Sequence, residues 1–495
     1  MSENSTLEMY RETLKKGGGE EAIRSQHDSG SLTARERIGL LLDADSFVET
    51  DVFLKGSGAQ DIPAEGVVAG FGTIEGRPVY LYAQDYTVLS GSIGAANAKK
   101  IEKVINLAMK TGVPVVSLLD SAGARIAEGA AALEAYAGIM NRCAAASGVV
   151  PQIAVVCGPC MGAAAIGAQL ADFVFVAGKR GAMLSAGPQV LEAAGAAGIG
   201  NNAAQANRSS GLVHFGYEDE RECFDAVRRF LTYLPDNNLE DPPYAPAYDD
   251  MNRTEPRINA YHETRDMRAV IRAVVDDGAF LEASEDFAPS LITGLARLNG
   301  RPLGIVANNP ASADGAIDGA AADKCARFVT VCDAFNIPIL TLVDTPGLPV
   351  SADSEKNALI RRCAAMVSAY AKATVPKITV VAGRAIGSGW PLMGGKAAAD
   401  IVYAWPGAVI APVEPAAAAV MLYRDEIAAA DDAIGARAEY ARRYEEQDAG
   451  ALAAARAGFV DDLFEPESTR PMVAAALEIL CTKRENRLPR KHATV

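Results

Sequence analysis

Apolar residues along this chain follow two alternating patterns. Runs such as GRPVYLYA (76–83) and VPVVSLLD (113–120) are short, nearly continuous and bounded by glycine or proline, which is typical of buried strands. Between them Ile101, Val104 and Ile105 recur at the spacing of one helix face. Strands that alternate with helices in this way predict a mainly parallel α/β sheet, with any ligand at the carboxyl ends of the strands.

The whole arrangement occurs twice. GRPLGIVA (300–307) and IPILTLVD (337–344) repeat the first two strands 224 positions later. Further along the chain, Pro151 and Pro376 are 225 positions apart, so the interval changes by only one residue. An interval of this length indicates duplication of an entire domain rather than a short solenoid repeat.

The domain boundaries follow from this duplication. We predict an N-terminal domain over residues 1–240 and a C-terminal domain over 257–495, joined by the proline-rich, unpatterned segment 235–256. The first 45 or so residues are expected to form helices that cap the core, one of them starting at the capping box TARE (33–36). The polar tail, 484–495, is expected to be loosely held or to dock on a partner subunit.

Each predicted domain contains one turn of very small residues after an apolar strand. In the first, the run 153–156 leads through a turn to Gly162, Ala163 and Ala164, and the segment 375–400 repeats this order. Amides at a helix start have no intrahelical partner, and side chains this small let a ligand oxygen approach them. That geometry is typical of an oxyanion hole, although close packing of a helix on a strand uses the same residue types.

Composition narrows the function classes. The 495 residues carry a formal net charge of -15, with a pI near 4.9, which argues against binding nucleic acid or an anionic membrane through the overall field. Residues 144–171 contain no charged side chain, but Pro151 and Gly158 divide them into a strand and a helix, so we predict no transmembrane span. The chain begins with polar residues instead of an apolar signal core, and we expect a cytoplasmic protein.

Side chains that carry chemistry are scarce. The four histidines do not combine into a Ser/His/Asp set or a metal-ligand set, so no metal site is predicted. Cys157 and Cys160 form a CxxC without a second ligand pair and are expected to be buried apolar residues. Asp120 and Asp344 each end a buried strand, and a role in orienting the next loop is favoured over acid–base catalysis. Arg125 could bind either a phosphate or an internal carboxylate. Any reaction then relies on backbone dipoles and on the ligands.

Six segments together resemble the carboxyltransferase subunit of biotin-dependent acyl-CoA carboxylases. Propionyl-CoA carboxylase beta chains are the nearest type, together with the corresponding subunits of methylmalonyl-CoA decarboxylases and of transcarboxylase. The segments, which cover nearly the whole chain, are TARERI (33–38), EGVVAGFGTIEGRPVYLYAQDYTVLSGSIG (65–94), DSAGARIAEG (120–129), SGVVPQIAVVCGPCMGAA (147–164), CDAFNIPILTLVDTPG (332–347) and ATVPKITVVAGRAIGSG (373–389).

The resemblance implies two tandem crotonase-like domains, each a ββα superhelix, and assembly into a hexamer. It implies that the amides of Gly162 and Ala163 hold the thioester oxygen of an acyl-CoA, while those of Ser388 and Gly389 hold the ureido oxygen of biotin. The other residues expected to contact the substrates are Ala122, Gly123, Ala124, Arg125, Met161, Ala164, Gly387, Trp390 and Pro391.

The resemblance also implies the reaction and its partners. A carboxyl group passes between carboxybiotin and the α-carbon of a short, propionyl-CoA-like substrate, and no side-chain base is required. Biotin arrives on a separate carrier protein. In a carboxylase, the further partner is a biotin carboxylase subunit. In a decarboxylase or transcarboxylase, which reverses the step, the partners are other subunits, some of them in a membrane. A third hypothesis is a retuned or non-catalytic paralogue that binds acyl-CoA.

Several residues depart from the family pattern and bear on substrate choice. Family members usually read DSGGARIQEG, GPCAGGA and KAYGGAY, and they lack a charge in the later segment APVEPAAAAVMLY (411–423). The departures in this chain are Ala122, Ala127, Met161, Ala163, the turn RAIGSGW with Pro391 after it, and Glu414. The acyl group of the substrate can therefore differ from propionyl.

Overall fold

A computed structural model describes residues 3–56, 62–196 and 203–485 of the chain. The chain forms two compact units, Met1–Asp241 (unit 1) and Pro242–Val495 (unit 2). Most of the predicted linker belongs to unit 2, since the Ala245 N–H donates to the Gly300 carbonyl at 3.0 Å. Of the polar tail, residues 486–495 lie outside the described residues.

The core of unit 1 is an eight-stranded sheet in the order β1-β2-β3-β4-β5-β6-β8, with β7 paired to β5. Strands β1 to β3 pair antiparallel, and all later pairs are parallel. The strands are β1 Val48–Thr50, β2 Val67–Ile74, β3 Arg77–Gln84, β4 Val115–Ser121, β5 Gln152–Met161, β6 Phe173–Ala177, β7 Ala182–Leu184 and β8 Phe215–Tyr217. The helices described in this unit are α1 Glu3–Lys15, α2 Glu20–Asp28, α3 Ala34–Leu41, α4 Ala95–Thr111, α5 Ala130–Ala146, α6 Ala163–Ala168, α7 Pro188–Ala193, α8 Ala203–Ser209 and α9 Glu220–Leu231.

Unit 2 repeats this topology, in the order β9-β10-β11-β12-β13-β14-β16 with β15 paired to β13. The strands are β9 Phe280–Ala283, β10 Leu291–Leu298, β11 Arg301–Asn308, β12 Ile339–Thr345, β13 Lys377–Ile386, β14 Ile401–Ala404, β15 Val409–Ala411 and β16 Asp462–Leu463. The helices are α10 Tyr261–Thr264, α11 Met267–Val274, α12 Gly319–Ala334, α13 Ala352–Lys356, α14 Leu359–Lys372, α15 Gly389–Leu392, α16 Pro415–Leu422, α17 Arg424–Ala429, α18 Ala433–Tyr444, α19 Ala451–Arg456 and α20 Thr469–Leu480.

The predicted α/β class and internal duplication are confirmed. The helix face of Ile101, Val104 and Ile105 lies buried on the sheet of unit 1, as its spacing predicts. The uncharged stretch 144–171 is the end of α5, then β5, then α6. Across the described part of the chain, every helix is too short or too polar to cross a bilayer.

The third N-terminal helix, α3, packs against α9 and against strands β2 and β3 of unit 1. The capping box at the start of α3 is present: the Thr33 side chain accepts the Glu36 N–H, and the Glu36 carboxylate accepts the Thr33 N–H at 2.7 Å. Helix α2 does not follow from the sequence pattern, because its residues have no clear apolar face. It nevertheless contributes one buried side chain, Gln26, which reaches the core of the unit.

Both units contain a buried lysine at the same place in the repeat. Lys100 on α4 donates to the carbonyls of Ala64 and Val67, and Lys324 on α12 donates to three carbonyls just before and in β10, the nearest at 2.7 Å. Burial lowers the pKa of each lysine to about 8. These ammonium groups hold the segment that leads into the first long strand of each unit.

The Lys100 pKa predicts how stability changes with pH. The pKa of Lys100 is about 8 in the folded protein and 10.5 for an ordinary lysine. Between pH 8 and 10.5 the lysine is therefore protonated in the unfolded chain but mostly neutral in the folded protein. The free energy of unfolding of the wild type consequently rises as pH increases over this range. Relative to Lys100→Met, the gain is expected to approach about 3 kcal/mol over the whole interval. Urea unfolding of both proteins at pH 7.5, 8.5 and 9.5 measures it. The exposed neighbour provides the control: Lys99→Met should show no such trend, and a flat difference for Lys100→Met would contradict the prediction.

Candidate active site

The first small-residue turn connects β5 to α6 at the carboxyl edge of the sheet of unit 1. Gly162 has φ +58° and ψ −122°, a conformation that favours glycine, and its N–H donates to the Leu184 carbonyl of β7 at 2.9 Å. The next amides, those of Ala163 and Ala164, make no hydrogen bond to the described residues. They are therefore the N–H groups available to a ligand at this turn.

The second turn, between β13 and α15, has the same construction. Gly387 has φ +54° and donates its N–H to the Ala411 carbonyl of β15 at 2.8 Å, so the amides of Ser388 and Gly389 come next. A Cβ on Gly389 would lie 2.6 Å from Cγ2 of Thr345, a distance that carbon atoms do not tolerate. The end of β12 and the loop that follows it lie so close to this turn that only glycine fits at position 389.

The two small-residue turns correspond residue by residue. Gly162 corresponds to Gly387, and both amides are used to join the turn to a short neighbouring strand. Gly162 therefore bends the chain, and its N–H is already bonded to the Leu184 carbonyl. By the same correspondence Ala163 matches Ser388 and Ala164 matches Gly389.

The loop after β4 lies beside the first turn, because β4 and β5 are neighbours in the sheet. Ala122 donates its N–H to the Ser90 carbonyl at 2.9 Å, and Gly123 has φ +108°. Ala124 forms a bridge with Ile93, so backbone pairing fixes the path of the loop. These three residues therefore form a rigid border of the turn.

Arg125 at the end of this loop binds carboxylates of the protein itself. Its guanidinium lies 2.9 Å from the Glu65 carboxylate and 3.0 Å from that of Glu128, and it also donates to the carbonyls of Glu65 and Ser92. The side chain is buried. Arg125 therefore binds internal carboxylates, which is one of the two alternatives that the sequence left open.

A buried ionic cluster underlies the first turn. The Arg37 guanidinium lies 2.7 Å from the Asp120 carboxylate and 2.8 and 2.9 Å from the Glu220 carboxylate, and Gln26 also donates to Asp120 at 3.0 Å. All three charged groups are less than a tenth exposed. Asp120 therefore orients structure, as expected, and its partner Arg37 was not identified from the sequence.

The corresponding aspartate of unit 2 is held by different residues. Asp344 accepts hydrogen bonds from the Tyr261 hydroxyl at 2.9 Å, from Arg265 at 3.0 and 3.1 Å, and from the backbone N–H of Arg384 at 3.1 Å. Burial, together with this carboxylate, raises the pKa of Tyr261 far above its ordinary value. Glu414, the carboxylate singled out in the sequence, is paired with Arg384 at 3.3 Å. Glu414 thus forms a half-exposed ion pair beside the second turn.

Comparison with known proteins gives the family. The carboxyl transferase domain family matches residues 25–495. The chain belongs to this family.

Two relatives and one solved structure illustrate the match. The carboxyltransferase subunit of propionyl-CoA carboxylase from Haloferax mediterranei is 41% identical over 505 residues, covering 99% of this chain and 98% of that protein. The alpha subunit of methylmalonyl-CoA decarboxylase from Veillonella parvula is 42% identical over 509 residues, with the same coverage. A crystal structure of transcarboxylase 12S with methylmalonyl-coenzyme A bound has a TM-score of 0.95 and 40% identity, covering 99% of this chain and 97% of that one.

These similarities confirm the family, the crotonase-like fold and the reaction class predicted from the sequence. The protein is a biotin-dependent acyl-CoA carboxyltransferase.

Three further predicted contact residues of the carboxyltransferase lie around the turns. Met161 is half-buried at the end of β5. Trp390 is half-buried against Gly395, where an added Cβ would lie 2.8 Å from the indole ring, and Pro391 is exposed on the short helix α15. Trp405, in contrast, is a core residue whose indole N–H donates to Thr469 at 3.0 Å.

The remaining chemistry-bearing side chains of the carboxyltransferase have structural roles. All eight cysteines are free thiols, and Cys157 and Cys160 are buried as expected. The His214 ring accepts the Val174 N–H at 3.0 Å. Within residues 3–56, 62–196 and 203–485, no three His, Cys, Asp or Glu side chains are grouped to hold a metal ion.

Proposed function

We propose that the carboxyltransferase works through two pairs of backbone amides, one in each unit. Ala163 and Ala164 of unit 1 would receive the thioester oxygen of a short, propionyl-CoA-like acyl-CoA. Ser388 and Gly389 of unit 2 would receive the ureido oxygen of biotin. The observation that supports this assignment most directly is that both turns use their glycine N–H to join a neighbouring strand and leave the next two amides unbonded.

The chemistry follows from where negative charge develops. Biotin, when bound on its carrier, supplies the carboxyl group or accepts it. Ala163 and Ala164 donate hydrogen bonds to the thioester oxygen and stabilise the charge that forms when the α-carbon loses its proton. Ser388 and Gly389 do the same for the oxygen on the biotin side, so the scarcity of histidine in this chain is compatible with catalysis.

The second turn is tightly packed and its nearest charges are paired. Gly389 carries no Cβ, and Thr345 and the Gly347 backbone fill the space beside it. The Arg384 side chain, which precedes this turn on β13, is neutralised by Asp314 at 2.7 Å and by Glu414. Burial alone would raise the pKa of Asp314, but hydrogen bonds from Arg384 and Arg265 hold it below its ordinary value. The turn thus presents amide dipoles rather than a free charge.

The same site serves either direction of the reaction. A carboxylase relative and a decarboxylase relative are almost equally similar to this chain, at 41% and 42% identity. We propose the carboxylase direction, with a biotin carboxylase and a biotin carrier as partners. The second candidate, supported by the Veillonella relative, is the decarboxylase direction with membrane subunits as partners.

Assembly and location are also proposed. Transcarboxylase 12S forms a hexamer in its crystal structure, and we propose the same assembly for this chain. We further propose a cytoplasmic location, because eight free thiols fit a reducing compartment.

The decisive experiment uses purified protein with free biotin and a panel of malonyl-, methylmalonyl-, ethylmalonyl- and glutaconyl-CoA. Biotin-dependent loss of the carboxyl group from one of them is expected, and it would identify the acyl group. No loss from any of the four, despite measurable binding of acyl-CoA, would contradict the proposed activity and favour a paralogue that only binds acyl-CoA.

Gly162→Ala tests the turn of unit 1. A methyl group there makes only an ordinary van der Waals contact, 3.7 Å from the Ser185 carbonyl oxygen, but alanine disfavours the φ of +58°. Backbone strain of about 1–3 kcal/mol would displace the next amides and lower kcat/KM for the active acyl-CoA by roughly ten- to a hundredfold. Gly39→Ala, on α3 with no atom within 4 Å of the added Cβ, is the control. Wild-type kcat/KM in Gly162→Ala would refute the assignment.

A further inference from the structure

The strand-end aspartate of each unit lies at an irregularity in the sheet. In unit 2 the pairing register of β12 with β13 shifts at Asp344, and in unit 1 the register of β4 with β5 shifts at Asp120. Such a bulge leaves backbone groups without partners in the ladder, and bulges are common beside active sites, where they redirect the chain. Each bulge is followed within a few residues by the small-residue turn of its unit.

In unit 2 the aspartate carboxylate binds a backbone amide of the bulge. Asp344 Oδ1 accepts the Arg384 N–H at 3.1 Å, and Arg384 comes three residues before Gly387, where the second turn begins. The carboxylate is itself held by the Tyr261 hydroxyl at 2.9 Å and by Arg265 at 3.0 and 3.1 Å. Because Asp344 is only 2% exposed, water competes little for this charge-assisted hydrogen bond.

Unit 1 lacks this hydrogen bond because its corresponding residue is a proline. Pro159 and Arg384 are 225 positions apart, as Gly162 and Gly387 are. Proline has no N–H, and Asp120 Oδ1 is buried without a hydrogen-bond partner among the described residues. Strand β5 thus reaches its turn without the bond, which indicates that the bond in unit 2 is not a requirement of the fold.

The backbone after Asp344 also touches the second turn. A Cβ added to Gly389 would lie 2.6 Å from Thr345 Cγ2 and 3.3 Å from the Gly347 Cα, both in the segment that directly follows Asp344. Asp344 therefore links two segments that enclose the turn: its side chain binds the end of β13, and its own chain packs against Gly389.

We infer that Asp344 is a positioning residue for the biotin side of the reaction. Through the Arg384 N–H it fixes the end of β13, and thereby the direction of the Ser388 and Gly389 amides. This inference rests on the proposed function, because it takes those amides as the donors to biotin. A donor stabilises charge only at the place where the charge develops, so a small displacement of the turn lowers the rate while the fold persists.

Arg384→Pro tests the role of Asp344 by copying unit 1. Proline fits this place in the strand, since Pro159 pairs with Ala182 in the same register as Arg384 with Val409. Arg384→Met is the matched control, because it also loses the ion pairs of the side chain but keeps the N–H. We expect kcat for biotin-dependent loss of the carboxyl group to be about tenfold lower in Arg384→Pro than in Arg384→Met, with an equal KM for free biotin. Equal kcat values would overturn the inference.

Hydrogen exchange measured by mass spectrometry separates positioning from a general loss of structure. The peptide that contains Ser388 and Gly389 should exchange about fivefold faster in Arg384→Pro than in Arg384→Met. Peptides from helix α20 should exchange equally in the two variants, and tryptophan fluorescence should give the same urea midpoint. Faster exchange throughout unit 2 would indicate a merely structural role and overturn the inference.

The wild type provides a test that needs no variant. Its Arg384 amide should be protected from exchange, and an unprotected amide would overturn the inference. Carboxyl transfer by the wild type, measured on the same preparation, reports the proposed function separately. Absence of transfer would reject that function and the role of Asp344 on the biotin side, whereas the exchange contrast between the two variants would still report whether Asp344 restrains the turn.

Discussion

Replacing Gly389 by valine is expected to reduce biotin-dependent carboxyl transfer by at least a hundredfold. Any Cβ at this position would lie 2.6 Å from Thr345 Cγ2 and 3.3 Å from the Gly347 Cα, so the turn or the loop after β12 must move. Loss of a single oxyanion donor typically costs about 3 kcal/mol of barrier, and this displacement removes one donor and shifts its neighbour. The measurement is kcat/KM for free biotin with the active acyl-CoA.

Loss of carboxyl transfer together with unchanged acyl-CoA binding would assign the defect to the biotin site. Calorimetry should show that Gly389→Val binds acyl-CoA as the wild type does, and size-exclusion chromatography should show the same assembly. Gly407→Val is the matched control, because a Cβ on that exposed glycine of unit 2 meets no atom within 4 Å. If Gly389→Val kept kcat/KM for biotin within a few fold, the second turn would not be the biotin site.

The second large effect is expected at Arg37. Arg37→Met leaves the buried carboxylates of Asp120 and Glu220 facing each other without a cation, and removing one partner of a buried ion pair costs about 3–5 kcal/mol. We expect unit 1 to unfold at a clearly lower urea concentration than in the wild type. The chain offers a convenient probe, because its two tryptophans, Trp390 and Trp405, both lie in unit 2.

Two signals therefore distinguish the units in this experiment. Circular dichroism of Arg37→Met should lose intensity early, while the tryptophan fluorescence transition should stay close to that of the wild type. Lys103→Met is the control: Lys103 is half-exposed and pairs with Asp51 at 2.8 Å, and such surface pairs contribute about 1 kcal/mol or less. A single transition at the wild-type midpoint in Arg37→Met would show that the cluster does not support the stability of unit 1.

The sequence predicts the elements whose formation depends on residues close together in the chain. The fold is built mainly from such elements and could therefore be predicted. Strands 76–83 and 113–120 and the helix between them follow from spacing alone, and the duplication follows from the constant interval. The capping box at Thr33 is equally local, since donor and acceptor are three residues apart.

The misses have a common physical origin in contacts between distant residues. Arg37 meets Asp120 and Glu220, which lie 83 and 183 positions away, and no periodicity connects them. The hydrogen bond from the Gly162 N–H to β7 is also not predicted from the sequence, because β7 has only three residues and no strong signal. Arg125 stayed ambiguous for the same reason: its partner Glu65 lies 60 positions earlier.

The ion pairs that close each unit also have a consequence for synthesis on the ribosome. Arg37 near the start of unit 1 binds Glu220 on its last described helix, and Arg470 on α20 binds Asp276, 194 positions earlier in unit 2. Neither unit can complete its closing pair before its final helix has been made. Synthesis of residues 242–495 then takes roughly 10–50 s at ordinary elongation rates, so unit 1 can form its closing ion pair well before unit 2 is complete.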